Sequence, residues 1–316
     1  MALGQRAAMT VGIGVELGRQ RLATPLVAAS GTVGSVWEFT RVADVSAYGA
    51  MTAKSVSEDP WPGRRPPRLA PAGAGMLNAI GIQNPGIDAW VRETAPRLIG
   101  VGCPVWGSAV GRTPDEFARV AAKLERAGVA AVEINLSCPN LEDGRMFALD
   151  AKRSAEVVAA VRRETSAPIG AKLSPNAADI AAVAEACAEV GADWVTLTNT
   201  IHGAAIDVET ASPVLSSGAG GYSGPPLKPV ALRCVMEVAS RLPSLPIVGC
   251  GGVVSGRDVV EYMMAGATAV ALGTVHFAEP RAAARILGEL VDWCARRGLT
   301  SVADLIGSAL ASKEDR

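Results

Sequence analysis

The chain has 316 residues, 49% of them hydrophobic, and a formal net charge of −1. That apolar content suffices for one large core or two smaller domains, and the near-neutral balance gives no electrostatic footprint for nucleic acid or an anionic membrane. Six irregularly spaced cysteines without a Cys-x-x-Cys pair argue against a disulfide framework and a structural metal site.

Residues Met1 to Thr24 carry Arg6, Glu16, Arg19 and Arg21 among short apolar pieces. This is too interrupted for a signal-peptide core or a membrane span, and with free thiols it predicts a cytoplasmic protein. Eight apolar runs then read as strands: Leu26–Ala29, Ala50–Ala53, Val105–Val110, Ala131–Leu136, Ile169–Leu173, Val195–Thr198, Ile247–Cys250 and Ala269–Leu272. Their interiors are largely apolar, as in a parallel sheet buried on both faces. Helical patterns fill most of the gaps. Thr113-Pro114-Asp115-Glu116 is a helix start, with a capping Thr, Pro at the first position and acids in the first turn. Phe117, Val120, Ala121 and Leu124 mark its buried stripe. Gly128, Gly191 and Gly266 each separate a helical pattern from the next strand, where glycine ends a helix at low steric cost.

Eight strand–helix units favour an α/β fold, a (β/α)8 TIM barrel with long active-site loops, spanning residues 1–316 as a single domain. A doubly wound open sheet is the alternative. Residues 56–100 and 201–228 exceed ordinary loop length, as functional covers or binding loops do.

The most informative stretch is Asn135-Leu136-Ser137-Cys138-Pro139-Asn140, after the run Ala130-Ala131-Val132-Glu133-Ile134. It sets a thiol between two carboxamides at the carboxyl end of a strand. Pro139 stiffens the turn, the thiol can serve as base or nucleophile, and the amides can bind a planar polar ligand without adding charge. A buried hydrophobic cysteine beside an ordinary turn is the plainer alternative, and it fits Cys103, Cys187, Cys234, Cys250 and Cys294 in their mostly apolar surroundings.

Barrel enzymes carry their chemistry at the carboxyl ends of strands. Here those ends offer Ser30-Gly31, Lys54-Ser55, Ser108, Asn135, Lys172, Asn199-Thr200, Gly251-Gly252 and Gly273-Thr274. Polar residues are common where loops begin, but lysines ending apolar strands are not, since a buried lysine needs a partner. The glycine pairs after the last two strands lie where barrels bind phosphate through backbone N–H groups. A phosphate-bearing cofactor fits this ring, and a lysine beside it can stabilise an anionic reduced flavin.

Four motifs carry a family resemblance: Gly75-Met76-Leu77-Asn78-Ala79-Ile80-Gly81-Ile82-Gln83-Asn84-Pro85-Gly86, Asn135–Asn140, Ala171-Lys172-Leu173-Ser174-Pro175-Asn176, and Gly220-Gly221-Tyr222-Ser223-Gly224-Pro225. From about Pro25 to about Pro280 the chain resembles class 1 dihydroorotate dehydrogenases, and its motifs look like those of the NAD-linked subtype. The resemblance implies FMN across the strand ends, contacted by Ser30, Gly31, Lys54, Ser55, Ser108 and Asn135. Lys172, Thr198, Gly224, Gly251, Gly252, Gly273 and Thr274 complete the implied flavin contacts. It implies dihydroorotate and orotate held by Lys54, Asn78, Asn135, Asn140, Asn199 and Thr200, with Ala79, Ile80, Gly81 and Ile82 beside them. Cys138 is then the general base for the C5 proton while the C6 hydride passes to the flavin. The implied partners are an iron–sulfur, FAD-containing electron-transfer subunit and a second copy of the chain, within a heterotetramer.

Ser108 departs from the pattern, because relatives carry Asn there. Two other readings compete. Dihydropyrimidine dehydrogenases share Asn-Leu-Ser-Cys-Pro but continue with His where this chain has Asn140. A barrel that binds FMN only as an electron-transfer subunit is the other, and the intact Cys138 and amide set argue against it.

Overall fold

Eight apolar runs pair side by side in sequence order, and the last returns to the first. A computed structural model describes residues 11–137 and 146–310. Its strands β1 (Leu26–Ala28), β2 (Ala50–Thr52), β3 (Val105–Ala109), β4 (Ala131–Asn135), β5 (Ile169–Lys172), β6 (Trp194–Leu197), β7 (Ile247–Cys250) and β8 (Ala269–Leu272) form a closed parallel barrel. All eight predicted strands are present, with ends differing by a residue or so. The barrel class holds and the open sheet does not.

Helices α1 (Ile87–Glu93), α2 (Pro114–Arg126), α3 (Ala151–Glu164), α4 (Ile180–Glu189), α5 (Lys228–Arg241), α6 (Gly256–Met264), α7 (Val275–Ala278) and α8 (Ala282–Arg296) occupy the connections. The Thr113 side chain caps α2 by accepting from the Glu116 N–H at 3.2 Å, and Phe117, Val120, Ala121 and Leu124 are buried as their spacing predicts. Gly128, Gly191 and Gly266 all have positive φ, the left-handed turn expected of helix-ending glycines.

The strand–helix count needs one correction. Between β1 and β2 lies only a 3-10 turn, Phe39–Arg41. Gly31, Gly34 and Val36 all take positive φ, which breaks helical backbone in the first half of this segment. At the opposite end of the barrel, the hairpin Val15–Leu17/Gln20–Leu22 buries Leu17 and Leu22, and Gln20 Oε1 accepts from Trp106 Nε1 at 3.1 Å. Sequence patterning did not reveal this plug.

The two long connections are not independent covers. Leu69–Ala72 and Gly75–Asn78 from one, and Ile201–Gly203 and Gly220–Ser223 from the other, form one four-stranded antiparallel sheet. Asn78 opposes Gly221 across the join. This sheet contributes Leu69, Met76, Asn78, His202 and Ser223 to the wall of the cavity at the carboxyl ends of the barrel strands.

Candidate active site

A cavity of about 700 Å³ opens where the strands end. Its lining brings together every sequence-predicted site residue that the structure describes: the hydroxyls and lysine of Ser30, Gly31, Lys54 and Ser55, the segment Asn78–Ile82, Ser108, Asn135, Lys172, Thr198–Thr200, and the glycine group Gly224, Gly251, Gly252, Gly273 and Thr274. Cys138 and Asn140 lie outside the described residues.

The polar groups hold one another in place. Ser55 Oγ lies 2.8 Å from Ser108 Oγ and 3.5 Å from Ser30 Oγ, and it accepts from Asn135 Nδ2 at 3.2 Å. Ser108 therefore serves as an anchor within a hydroxyl chain. Asn199 Nδ2 donates to Ser137 Oγ and to Asn135 Oδ1, the latter at 3.4 Å, and Asn78 Nδ2 donates to the Gly221 carbonyl at 3.2 Å. Three carboxamides from three separate segments thus converge on one space. Carboxamides supply both donors and acceptors, so such a set suits a planar ring with alternating polar edges.

At the other side of the cavity, the backbone comes unusually close to itself. Gly252 has φ +68°, and a Cβ there would fall 2.8 Å from the Gly224 oxygen and 2.9 Å from the Lys228 nitrogen. No other residue fits without moving backbone. Bare peptide groups are therefore presented to the cavity, as a phosphate cradle requires.

Lys172 ends β5 on the cavity floor with 8% of its side chain exposed. Its partner is Glu133 of β4, with Nζ and Oε1 4.0 Å apart. Glu133 Oε2 accepts from Thr196 Oγ1 at 2.9 Å. Burial pushes the Lys172 ammonium down, but the Glu133 carboxylate, with a smaller contribution from Cys250, more than offsets it, and the net direction is up. Thr198 lines the cavity and its buried Oγ1 has no hydrogen-bond partner among the described residues, whereas Glu133 Oε1 makes no hydrogen bond but faces Lys172. A buried hydroxyl left without a partner beside a cavity fits contact with a polar ligand.

Behind the wall, His276 is fully enclosed. Thr32 Oγ1 donates to the Ala29 carbonyl at 2.8 Å, so it must accept from His276 Nδ1 at 3.0 Å. Tyr48 OH, 2.8 Å from Nε2, is then the donor to the other ring nitrogen. The ring is locked as a neutral tautomer, and burial lowers its pKa from 6.5 to about 4. An unfolded chain binds this proton more tightly than the folded one. Stability contributed here is therefore complete above about pH 6.5 and is lost as pH falls toward 4, by about 3 kcal/mol for this group. Denaturant melts at pH 5 and pH 7 should show the loss, and His276→Gln should flatten it. An equal pH dependence in wild type and variant would remove His276 as its source.

The matching family description decides the class of the protein. The family model of dihydroorotate dehydrogenase matches residues 13–293. The chain belongs to the dihydroorotate dehydrogenase family. It is 45% identical over 290 residues to a protein of Geobacter sp. strain M21, covering 91% of this chain and 95% of that one. It is 43% identical to a protein of Trichlorobacter lovleyi, covering 95% and 99%, and 41% identical to one of Desulforudis audaxviator, covering 95% and 98%. All three relatives carry the name dihydroorotate dehydrogenase B (NAD(+)), catalytic subunit. Membership of the dihydroorotate dehydrogenase family implies a flavin cofactor, and the glycine cradle, the buried lysine and the unpartnered Thr198 hydroxyl fit one. No helix among the described residues is long and apolar enough to cross a membrane.

Sequence reasoning missed several cavity residues: Glu133, Cys250, Thr32, Arg64 and His202 all line it. Glu133 had a readable signal, a lone acid inside an apolar strand. Cys250 had none, because a thiol in an apolar run looks like any small core residue.

Proposed function

We propose that the chain is the catalytic subunit of an NAD-linked dihydroorotate dehydrogenase that binds FMN and oxidises dihydroorotate to orotate in pyrimidine biosynthesis. The observation that carries this reading is the convergence of Asn78, Asn135 and Asn199 on one cavity with Lys172 and the glycine cradle, in a chain of this family. The carboxamides grip the pyrimidine ring through its alternating donors and acceptors, and Lys54 with Asn78 receives the carboxylate. Ser30, Ser55, Lys172 and Thr198 hold the flavin ring, while the amides around Gly251–Gly252 and Gly273–Thr274 hold its phosphate. When bound, FMN supplies the acceptor for the C6 hydride. Cys138, three residues beyond the end of β4 in the sequence, removes the proton from C5.

The partner is an iron–sulfur, FAD-containing subunit that passes electrons on to NAD, bound to a homodimer of this chain. One barrel domain over residues 1–316 and a cytoplasmic location accord with this reading.

The test starts from the purified chain. It is expected to be yellow, to release FMN on heating, and to bleach at once when dihydroorotate is added without air. NAD reduction should require the added iron–sulfur flavoprotein. Release of FAD, or a flavin that dihydroorotate leaves oxidised, would sink the reading. Bleaching by dihydropyrimidines instead would favour the pyrimidine-degrading relatives.

A further inference from the structure

The functional reading uses Lys172 and leaves Glu133 without a role. Glu133 sits mid-strand in β4 with 3% of its side chain exposed. The charged or titratable residues among the described cavity lining are Lys54, Arg64, Glu133, Lys172, His202 and Cys250, so Glu133 is the one acid. Its two oxygens differ. Oε2 is anchored by the Thr196 hydroxyl at 2.9 Å, which leaves Oε1 facing Lys172 Nζ at 4.0 Å. Three adjacent strands supply this arrangement, with Asn135 of β4 and Thr196 of β6 both in register with Lys172.

A lysine this deep sheds its proton unless a negative group faces it. Cys250 is the other titratable group beside Lys172, and because burial pushes its thiol up it can add negative charge only well above neutral pH. Glu133 is left as the counter-charge.

We propose that Glu133, anchored by Thr196, is a positioning residue that keeps Lys172 an ammonium ion in the oxidised holoenzyme, so that a fixed positive charge is already present where reduction places negative charge on the flavin. This rests on the FMN reading above. Hydride leaves C6 with its electron pair, so the flavin gains two electrons and one proton and becomes one unit more negative. With Lys172 already charged, no second proton is taken up. With Glu133 neutralised, Lys172 starts as an amine and is protonated as the flavin is reduced, so two electrons travel with two protons.

The readout is the pH dependence of the flavin reduction potential between pH 7 and 9, measured by dye-coupled titration of the holoenzyme. One proton per two electrons gives a fall of about 30 mV per pH unit, and two protons give about 60 mV. The wild type is expected to follow the first slope and Glu133→Gln the second. In a Lys172→Met background, Glu133→Gln should leave the slope at about 30 mV, because its effect acts through the lysine. A Glu133→Gln slope equal to that of the wild type overturns the inference. Should that variant fail to fold, 15N-lysine labelling of the oxidised wild-type holoenzyme decides the matter. The ζ-nitrogen signal missing from Lys172→Met is expected to be an ammonium at pH 8, and an amine signal overturns the proposal. A wild type that dihydroorotate cannot reduce would count against the functional reading instead, while the lysine signal would still report on Glu133.

Discussion

Cys138→Ala is expected to slow flavin reduction by dihydroorotate by roughly two to four orders of magnitude, the usual contribution of a positioned general base. The variant should still fold, bind FMN and bind orotate, because the base acts only on the C5 proton. Cys138→Ser should also be slow, since a hydroxyl is far less acidic than a thiol. A free thiol titrates near 8.5, so wild-type reduction should rise with pH as the thiolate forms and then level off. Cationic groups lower that midpoint, and Lys54 and Lys172 line the same cavity as Asn135, three residues before Cys138. Stopped-flow bleaching across pH measures both effects. Near-normal bleaching by Cys138→Ala would take the thiol out of the mechanism and leave its loop a binding turn.

Lys172→Ala is expected to weaken FMN binding by tenfold or more and to slow flavin reduction by about a hundredfold, the scale seen when a preorganised electrostatic group is deleted. It should also cost about 3–5 kcal/mol of stability, because Glu133 is left as a buried carboxylate without its counter-charge. The two effects separate in a double variant. Lys172→Met with Glu133→Leu should regain most of the stability but not the reduction rate, since apolar residues of similar volume often replace a buried ion pair at little cost. Flavin titration, single-turnover reduction and denaturant melts read the three quantities. A single variant with wild-type FMN affinity and reduction rate would make Lys172 structural.

The barrel was legible because strands buried on both faces must be apolar at every position, and their length then sets their ends. Ala269–Leu272 and Ile247–Cys250 match residue for residue. Glu133 stands out in its run as the one acid, but its role does not, because its partner Lys172 lies on the next strand and strand pairing is not written in local sequence. Length alone marked residues 56–100 and 201–228 as functional, yet their strands of three or four residues went unseen. Gly220, Gly221 and Gly75 carry no strand propensity, and their pairing is decided by a distant segment. The glycine pair after β7 was legible for the opposite reason, since the positive φ of Gly251 and Gly252 is a local backbone requirement that favours one residue type.

The antiparallel sheet joining the two long loops has a consequence for how the protein matures. Asn78 and Gly221, which meet across it, are 143 residues apart in the chain. Closing so large a loop is entropically costly and slow compared with local pairing, so this seam is expected to form late. A ribosome must have released β6 and most of the following connection before it can exist at all. A flavin or pyrimidine that touches both halves of the seam binds only the finished chain, and by mass action it stabilises that state in proportion to the logarithm of its concentration. A barrel that has closed but not stitched its two loops together keeps the strand-end groups proposed to hold the flavin, yet Asn78 is not yet placed for the substrate, and the loops stay exposed to proteolysis.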